Sequence, residues 1–510
     1  MLDGLEKLIE NVATQTSLGH AKRDAAFLRQ VECLCRHPGG TGAGTCADMA
    51  SVASAYRFAG NTSIDLAQLR TIRRMAVLAA CAAEETLLVI NDMSVLSYPG
   101  HESKSDRRAV GDGRGKGYEY ICNLAVGLES ERYLGVLHDS LISSSGPDDA
   151  DQIDYHTNPT FAALSENDPA RLERNHCHML ASHFKHICKS APGIRMVSVA
   201  DREFDDHFIF ESTIGCGQDA VIRSNGVRNV QVASSLPWVH DGMHTARQTG
   251  LPLAPGYCCC SMKALVSGVP TTPFKQLALD GKGRLVDESA ARSHAHVSTG
   301  SFRVKLYRPP RRNGTYFKPT DYIDLNVVVV KEDDPPKNRQ PIEWVLYTTL
   351  PVDTPEQVAK VVRIYELRWL IESFFKYLKN GFKIEDLRYD NARKTAMHLV
   401  AATIAAAFIC NLKAQVGLPR PGCLPPEDYA RVKHAANHPD DKAIRADLRL
   451  FAFLAAQGGW RGRKNDPISP LTLMNGFRRL ATVLEMTANA AGLLQEIVDR
   501  NGGMVNAYNR

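Results

Sequence analysis

Little in this sequence points to a membrane, an export route or a polycation. Its longest apolar run, Leu399 to Cys410, is about a dozen residues of mostly alanine, whereas a bilayer needs ~20. The opening stretch MLDGLEKLIENVA carries early acidic residues and no apolar core, so it does not read as a signal peptide. Net charge is scarce too: 61 Lys and Arg against 56 Asp and Glu leave +5 over 510 residues. That excludes a histone-like polycation, but not a DNA-binding protein whose basic residues are concentrated locally. Repeats and low-complexity segments are missing. The 13 cysteines are scattered rather than set at framework spacings, which predicts a reducing, cytoplasmic compartment.

What is present is 44% apolar residues, ample for packed cores, in a chain long enough for about three folding units. Residues 1–80 read as helical, with Leu5, Leu8, Ile9 and Val12, then Ala26, Leu28, Val31 and Leu34, at helical spacing. Two more helices are expected near 47–58 and 65–82. This region carries Lys22, Arg23, Arg29, Arg57, Arg70, Arg73 and Arg74, either as a solvated face or as phosphate contacts. From Thr86 the pattern changes. Leu87-Leu88-Val89-Ile90 is an apolar run of the kind that fills a buried strand, and it ends in Asn91-Asp92. A polar, basic loop at 104–116 precedes strands at 118–128 and 133–138. A helix at about 169–189 leads to the strand Met196-Val197-Ser198-Val199, which runs into Ala200-Asp201. Residues 225–342 read as a β-rich insertion, with strands near 304–307 and 323–330. After a strand at 344–348, a long helix runs from about Pro355 to Lys379, with Thr354-Pro355 as cap and first turn. Further helices are expected at 392–415 and 470–498.

Asp92 and Asp201 both follow apolar strands, and strand ends are where functional side chains emerge in open sheets. Taken singly, either could merely cap a strand or a following helix. The long helix adds a third carboxylate. At 100° per residue from Tyr365, Arg368 falls at about 300°, Glu372 at about 340° and Lys379 at about 320°. The apolar residues Leu367, Leu370, Ile371, Phe374, Phe375 and Leu378 occupy another face. A surface i,i+4 ion pair would account for Arg368 and Glu372, but not for the tyrosine.

The pattern Tyr365-x2-Arg368-x3-Glu372-x6-Lys379 resembles the signature of the IS-four family of bacterial insertion-sequence transposases. The wider text IYELRWLIESFFKYLK, with DMSVLSY at Asp92 and SVADREFDDH at Asp201, looks like the transposon-five branch. Ala55-Tyr56-Arg57-Phe58 resembles that family's DNA-binding domain, and Gly458 to Lys464 its C-terminal region. The resemblance implies an α/β fold: an RNase H-like core at 76–415 with its β-rich insertion, a helical end-binding domain at 1–75, and a helical dimerisation region at 416–510. It implies a cut-and-paste transposase, nucleoid-associated in a bacterium, acting on double-stranded DNA at terminal inverted repeats and at a target. Asp92, Asp201 and Glu372 would be the catalytic, metal-binding triad. Two Mg²⁺ ions, with Mn²⁺ as a substitute, suit three carboxylates without a His/Cys cage. Glu203, Asp205, Asp206 and Glu366 are nearby competitors. Two rival readings remain: a nuclease of the same fold without strand transfer, and a non-catalytic regulator derived from a transposase.

The remaining signature residues then become DNA contacts. Arg368 and Lys379 would neutralise phosphates, and Tyr365 would hydrogen-bond one. Arg223 would contact the same end. Trp344, just before the helix, would stack on a base extruded during hairpin formation, unless it is simply a core residue. Six basic residues, Arg303, Lys305, Arg308, Arg311, Arg312 and Lys318, form either a phosphate track or a solvated loop. His176, Cys177, His178, His183, His186 and Cys188 invite a zinc reading, though their spacing fits no structural zinc pattern. Cys258-Cys259-Cys260 cannot all bind one tetrahedral ion easily and read as partly buried free thiols.

Overall fold

A computed structural model describes residues 2–36, 38, 49–149, 176–245, 253–279, 293–307, 322–337, 339–412, 426–462, 468–469, 471–476 and 478–480. Contacts divide the chain into two units. One comprises Met1–Ser63, Lys376–Arg388 and Met397–Arg510; the other comprises Ile64–Phe375 and Tyr389–Ala396. The first joint therefore falls twelve or so residues before the boundary expected at 75.

The second unit is built on one mixed sheet. Its described strands are β1 (Leu87–Ser97), β2 (Arg108–Val110), β3 (Gly115–Gly127), β4 (Tyr133–Ser143), β5 (Gly146–Pro147), β6 (Met196–Ala200), β7 (Asp219–Arg223), β8 (Asn229–Ala233), β9 (Tyr257–Ser261), β10 (Thr272–Leu279), β11 (Ser293–Tyr307), β12 (Tyr322–Glu332) and β13 (Glu343–Thr348). They lie in the order β5-β4-β3-β1-β6-β7-β13-β12-β11-β8-β9, with β2 beside β3 and β10 beside β11. Strands β4, β3 and β1 run antiparallel, while β6 and β7 run parallel to β1 and to each other. This mixed α/β order is consistent with an RNase H-like core. The β-rich insertion does not form a sheet of its own. Strand β13 returns antiparallel to β7, and β12, β11, β8 and β9 extend the same sheet from there.

Strand β1 is longer than its apolar run. It continues to Ser97 because β3 pairs with it throughout, from Leu87↔Gly127 to Ser97↔Gly117. Only glycine fits at 117, where a Cβ would stand 2.0 Å from the Leu96 carbonyl oxygen. The parallel neighbour β6 pairs with β1 only as far as Ile90↔Val199. Asp92 is therefore not at the end of its own strand but where its neighbour stops.

Helices cover the sheet. They include α4 (Leu66–Cys81), α5 (His176–Ser190), α6 (His207–Gly215), α7 (Met262–Gly268), α8 (Pro355–Leu367) and α9 (Trp369–Lys376). Before them in sequence, within the first unit, come α1 (Leu2–Gln15), α2 (Ala21–Arg36) and α3 (Met49–Ala59). Leu87 and Val89 pack against Val77 of α4 and Phe184 and Ile187 of α5. From α9, Phe374 stacks on Tyr133 and Phe375 meets Tyr120 edge-on. The cap expected on α8 is present as a full capping box: Thr354 and Gln357 satisfy each other's backbone, and Pro355 sits in the first turn. The supposed basic loop is anchored too, since buried Lys104 donates to the Tyr389 carbonyl at 2.5 Å.

The basic residues of the N-terminal region divide by unit. Lys22, Arg29 and Arg57 are exposed on the helices of the first unit. In the same unit, Phe58 is buried against Phe27 at 6.0 Å, leaving Tyr56 outside. Arg70, Arg73 and Arg74 are buried in α4, in the second unit, so a phosphate-contacting role for them is corrected. Arg70 and Arg73 both grip Asp139 of β4 at 2.8 Å, Arg70 also holds Asp148 at 2.9 Å, and the Tyr120 hydroxyl donates to Asp139 at 2.8 Å. Burial works against this carboxylate, yet Arg73 and Arg70 hold its pKa well below the usual range.

The expected basic track is also reassigned where it is described: Arg303 pairs with Asp353 and Lys305 with Asp324, each at 2.6 Å. Arg308, Arg311, Arg312 and Lys318 lie outside the described residues. Further helices are α10 (Ala392–Cys410), α11 (Pro426–Asn437) and α12 (Ala446–Gln457), and residues 471–476 and 478–480 are helical as well. The helix α10 is long and apolar enough to cross a bilayer, but 89% of its apolar window is buried within the protein. In the first unit Trp460 packs edge-on against Tyr429, while Arg463, Lys464 and most of the helix expected at 470–498 lie outside the described residues.

Removing one side of a buried ion pair leaves the other charge uncompensated, at about 3–5 kcal/mol. Asp139→Ala should therefore lower the unfolding free energy by about that much and lower the yield of folded protein. Arg57→Ala, on an exposed helix face, should change it by less than about 0.5 kcal/mol. Chemical denaturation of the two variants checks the contrast.

Candidate active site

Successive side chains on a strand point to opposite faces. Asn91 faces α5, and Asp92 faces α8 and α9. Asn91 donates to Ser198 Oγ at 2.9 Å and to the Val199 carbonyl at 3.2 Å, both on β6. Its own side-chain oxygen accepts from Asn123 at 2.8 Å, and Asn123 is bonded in turn to His183 at 3.0 Å. This clamp fixes β1 to β6 immediately beside Asp92. Two positions after Val199, Asp201 leaves β6 and caps a short 3-10 turn at Arg202–Phe204, accepting from the Glu203 N–H at 2.9 Å. The register of the parallel pair thus carries Asp92 and Asp201 to corresponding positions. Sequence reading does not single out Asn91, Asn123 or Ser198; an asparagine just before the strand-end aspartate is the one available signal.

The third carboxylate comes from the helix, which is not continuous. Helix α8 ends at Leu367, and α9 begins at Trp369. Around Arg368 the hydrogen bonds tighten to three-residue spacing, from Arg368 N–H to the Tyr365 carbonyl and from Ile371 N–H to the Arg368 carbonyl. Arg368 bonds Glu372 at 2.6 Å and reaches Asp92 at 3.5 Å. Its guanidinium also lies 5.9 Å from the ring of Tyr365 and 5.8 Å from that of Trp369. With a residue exposure of 8%, Arg368 is buried among carboxylates, not held out for a phosphate.

Tyr365 is buried as well. It meets Trp344 edge-on at 5.2 Å, and burial raises the pKa of its hydroxyl while the positive charges of Arg368 and Arg223 oppose that rise. Arg223 donates to the Glu343 carbonyl at 3.0 Å. Trp344 itself is 5% exposed, so its face is covered by packing rather than open to a base. Trp369, which the sequence reading passed over, is 39% exposed. Lys379 departs from the straight stripe. It lies in a π-helical turn, Tyr377–Gly381, in the first unit, with its ammonium 4.0 Å from Glu385. The uniform 100° step fails beyond α9 because the helical pitch changes.

The competing carboxylates have structural partners. Asp205 is buried and binds Arg228, Ser224 Oγ and the Asn225 N–H. Asp206 caps α6 through the Phe208 N–H. Glu366 pairs with Lys275 at 2.5 Å and Glu203 with His176 at 3.6 Å. The His/Cys run on α5 does not converge on one point. His176 turns to Glu119 and Glu203, His178 to Phe208, and His183 to Ser140 and Asn123.

Burial pushes the Asp92 carboxyl up to about 7. Arg368 and the Met93 N–H oppose that rise, and the negative charges of Asp201 and Glu372 add to it. Such a site carries more negative charge than one arginine balances, and its donors are all hard oxygens. It fits divalent cations that prefer carboxylates and keep some water.

A sheet that brings two strand-borne aspartates and a helix-borne glutamate together is suited to metal-assisted phosphoryl transfer. Residues 261–408 match the family model described as Transposase DDE domain. The chain therefore carries a DDE transposase domain of the IS-four-like kind, a catalytic domain of a phosphoryl-transfer enzyme family. Such transposases bind DNA and use divalent metal ions. The matched span contains Glu372, Tyr365 and Arg368. Asp92 and Asp201 precede it, and the geometry above is what relates them to it.

A carboxyl group whose pKa is higher folded than unfolded stabilises the fold at low pH, and loses that contribution as pH rises through the folded value. For Asp92 the window runs from about 4 to about 7. In chelator, Asp92→Asn should melt above the unsubstituted protein at pH 8, and the gap should close near pH 4. Melting curves at the two pH values decide it; a gap independent of pH would mean that Asp92 is not electrostatically strained.

Proposed function

We propose that this chain is a cut-and-paste DNA transposase that cleaves transposon ends and joins them to a target. The observation that carries the reading is the convergence of Asp92 and Asp201 with Arg368 and Glu372 in a chain that contains a transposase DDE domain. Asp92, Asp201 and Glu372 would hold two Mg²⁺ ions, with Mn²⁺ as a substitute, and the ions would supply activation of an attacking oxygen and stabilisation of the leaving oxygen of an in-line displacement.

The chain's own groups prepare the site. The Asn91 clamp sets the spacing of the aspartates, and Arg368 holds Asp92 and Glu372 in place. A phosphate of the DNA would compete for the Arg368 guanidinium, with Arg223 and Tyr365 beside it. Water attacks first to free a 3′-hydroxyl. That hydroxyl attacks the opposite strand to form a hairpin, water opens the hairpin, and the freed 3′-hydroxyl attacks the target. Each step exchanges one phosphodiester oxygen for another, so one triad serves all four. The exposed N-terminal helices recognise a terminal repeat, the C-terminal helices support a dimer that pairs two ends, and the protein works at the bacterial nucleoid.

The test is a labelled DNA end carrying the inverted repeats that flank the gene, incubated with the protein and Mg²⁺. Joined product is expected from a precleaved end; hydrolysis without joining would reduce the protein to a nuclease. Glu372→Gln should slow cleavage by roughly 10³-fold or more, equivalent to about 4 kcal/mol, with end binding retained on a native gel. Normal cutting by this variant would remove Glu372 from the triad.

The tryptophans give a further expectation. Stacking on an extruded base is worth about 1–3 kcal/mol. Trp344 supports Tyr365, so Trp344→Ala should lower the melting temperature and reduce nicking and hairpin formation in parallel. A selective loss of hairpin formation at unchanged melting temperature would instead give Trp344 the stacking role.

A further inference from the structure

Strand β9 closes one end of the sheet's strand order, paired to β8. Alongside it runs a short segment in which His244 bridges Cys260 and the Thr245 N–H donates to the Cys259 carbonyl at 2.9 Å. Alternation along β9 divides the three consecutive cysteines. Cys259 accepts from the Thr245 hydroxyl at 3.6 Å. Cys258 and Cys260 share the other face, with their sulfurs 3.8 Å apart. His244 stands directly opposite Cys260, and the ligand atoms of His244, Cys258 and Cys260 all lie within 4.8 Å of one another. Cys258 and Cys260 are buried, while His244 is exposed.

The spacing has a chemical meaning. Zinc holds cysteine sulfur at about 2.3 Å, and two such sulfurs on a tetrahedron are separated by about 3.8 Å. The two thiols already occupy one edge of that tetrahedron, and the imidazole reaches a third corner from the solvent side. The Asp241 carboxylate is 3.7 Å from Nδ1 of His244, as an outer partner that orients a metal-bound histidine. We infer that His244, Cys258 and Cys260 form a binding site for one Zn²⁺ ion, with water in the fourth position. The donors are soft, so this site is chemically separate from the hard carboxylates of the active site. Binding replaces the two thiol protons with one cation and pins the segment around His244 to the sheet margin. The three consecutive cysteines are not one block of thiols, because the strand puts Cys259 on the face opposite Cys258 and Cys260.

The test uses the full-length protein, loaded with Zn²⁺, dialysed against a weak chelator and measured by elemental analysis. One equivalent should remain. Cys258→Ser and Cys260→Ser should each weaken retention by at least about tenfold, and His244→Ala should do the same. Cys259→Ser and Asp92→Asn should keep the metal. With Co²⁺ in place of Zn²⁺, a thiolate-to-metal charge-transfer band should appear and vanish in the Cys258 and Cys260 variants. The inference is overturned if the unsubstituted protein retains no zinc, if Cys258→Ser retains it fully, or if Cys259→Ser loses it equally.

Discussion

Carboxylates cannot be crowded into a partly buried corner without a positive charge to receive them. Much of the second unit can be read as an answer to that constraint. Arg368 supplies the charge from a position where the helix tightens, touching Glu372 and Asp92 at once. Its own burial is tolerable because Tyr365 and Trp369 flank the guanidinium and the carboxylates accept its protons. Asp92 still bears part of the cost, in a carboxyl that holds its proton up to about pH 7.

The same constraint explains the polar material behind the site. Asn91, Asn123, Ser198 and His183 form a chain of hydrogen bonds across the sheet face opposite Asp92. An apolar residue at 91 would pack well enough, but it would not fix β1 against β6 by bonds with direction. Repulsion between Asp92 and Asp201 acts to spread the two strands, and the side chain of Asn91 holds them at the point where backbone pairing has just ended.

The fold and the site were legible to different degrees. Apolar runs located β1 and β6, the Thr354-Pro355 cap located α8, and the Tyr365–Glu372 spacing picked out the polar stripe, because each is a local property of the chain. The length of β1 was not legible, since β3 sustains it past the apolar run. Nor was the placement of the insertion strands in the core sheet, which depends on β13 returning beside β7. Charge was the least legible property. Arg70 and Arg73 look like any other basic residues in the sequence, and only their carboxylate partners tens of residues away show that they are buried; Arg368 stood out with Glu372, but its contact with Asp92, 276 residues away, did not. Lys379 was placed by a straight-helix rule that a π-turn breaks.

The position of α4 bears on how proteins of this plan can be recombined. It directly follows the N-terminal helices in the chain, yet its arginines are sunk into the acidic centre of the sheet unit, bound to Asp139 and Asp148. The helix is thus an internal part of the machine it introduces. A graft that exchanged the N-terminal helices between two such proteins would have to join them ahead of Ile64. Cut any later, it would carry away the counter-ions of its host's core and leave a chimera whose sheet unit does not fold.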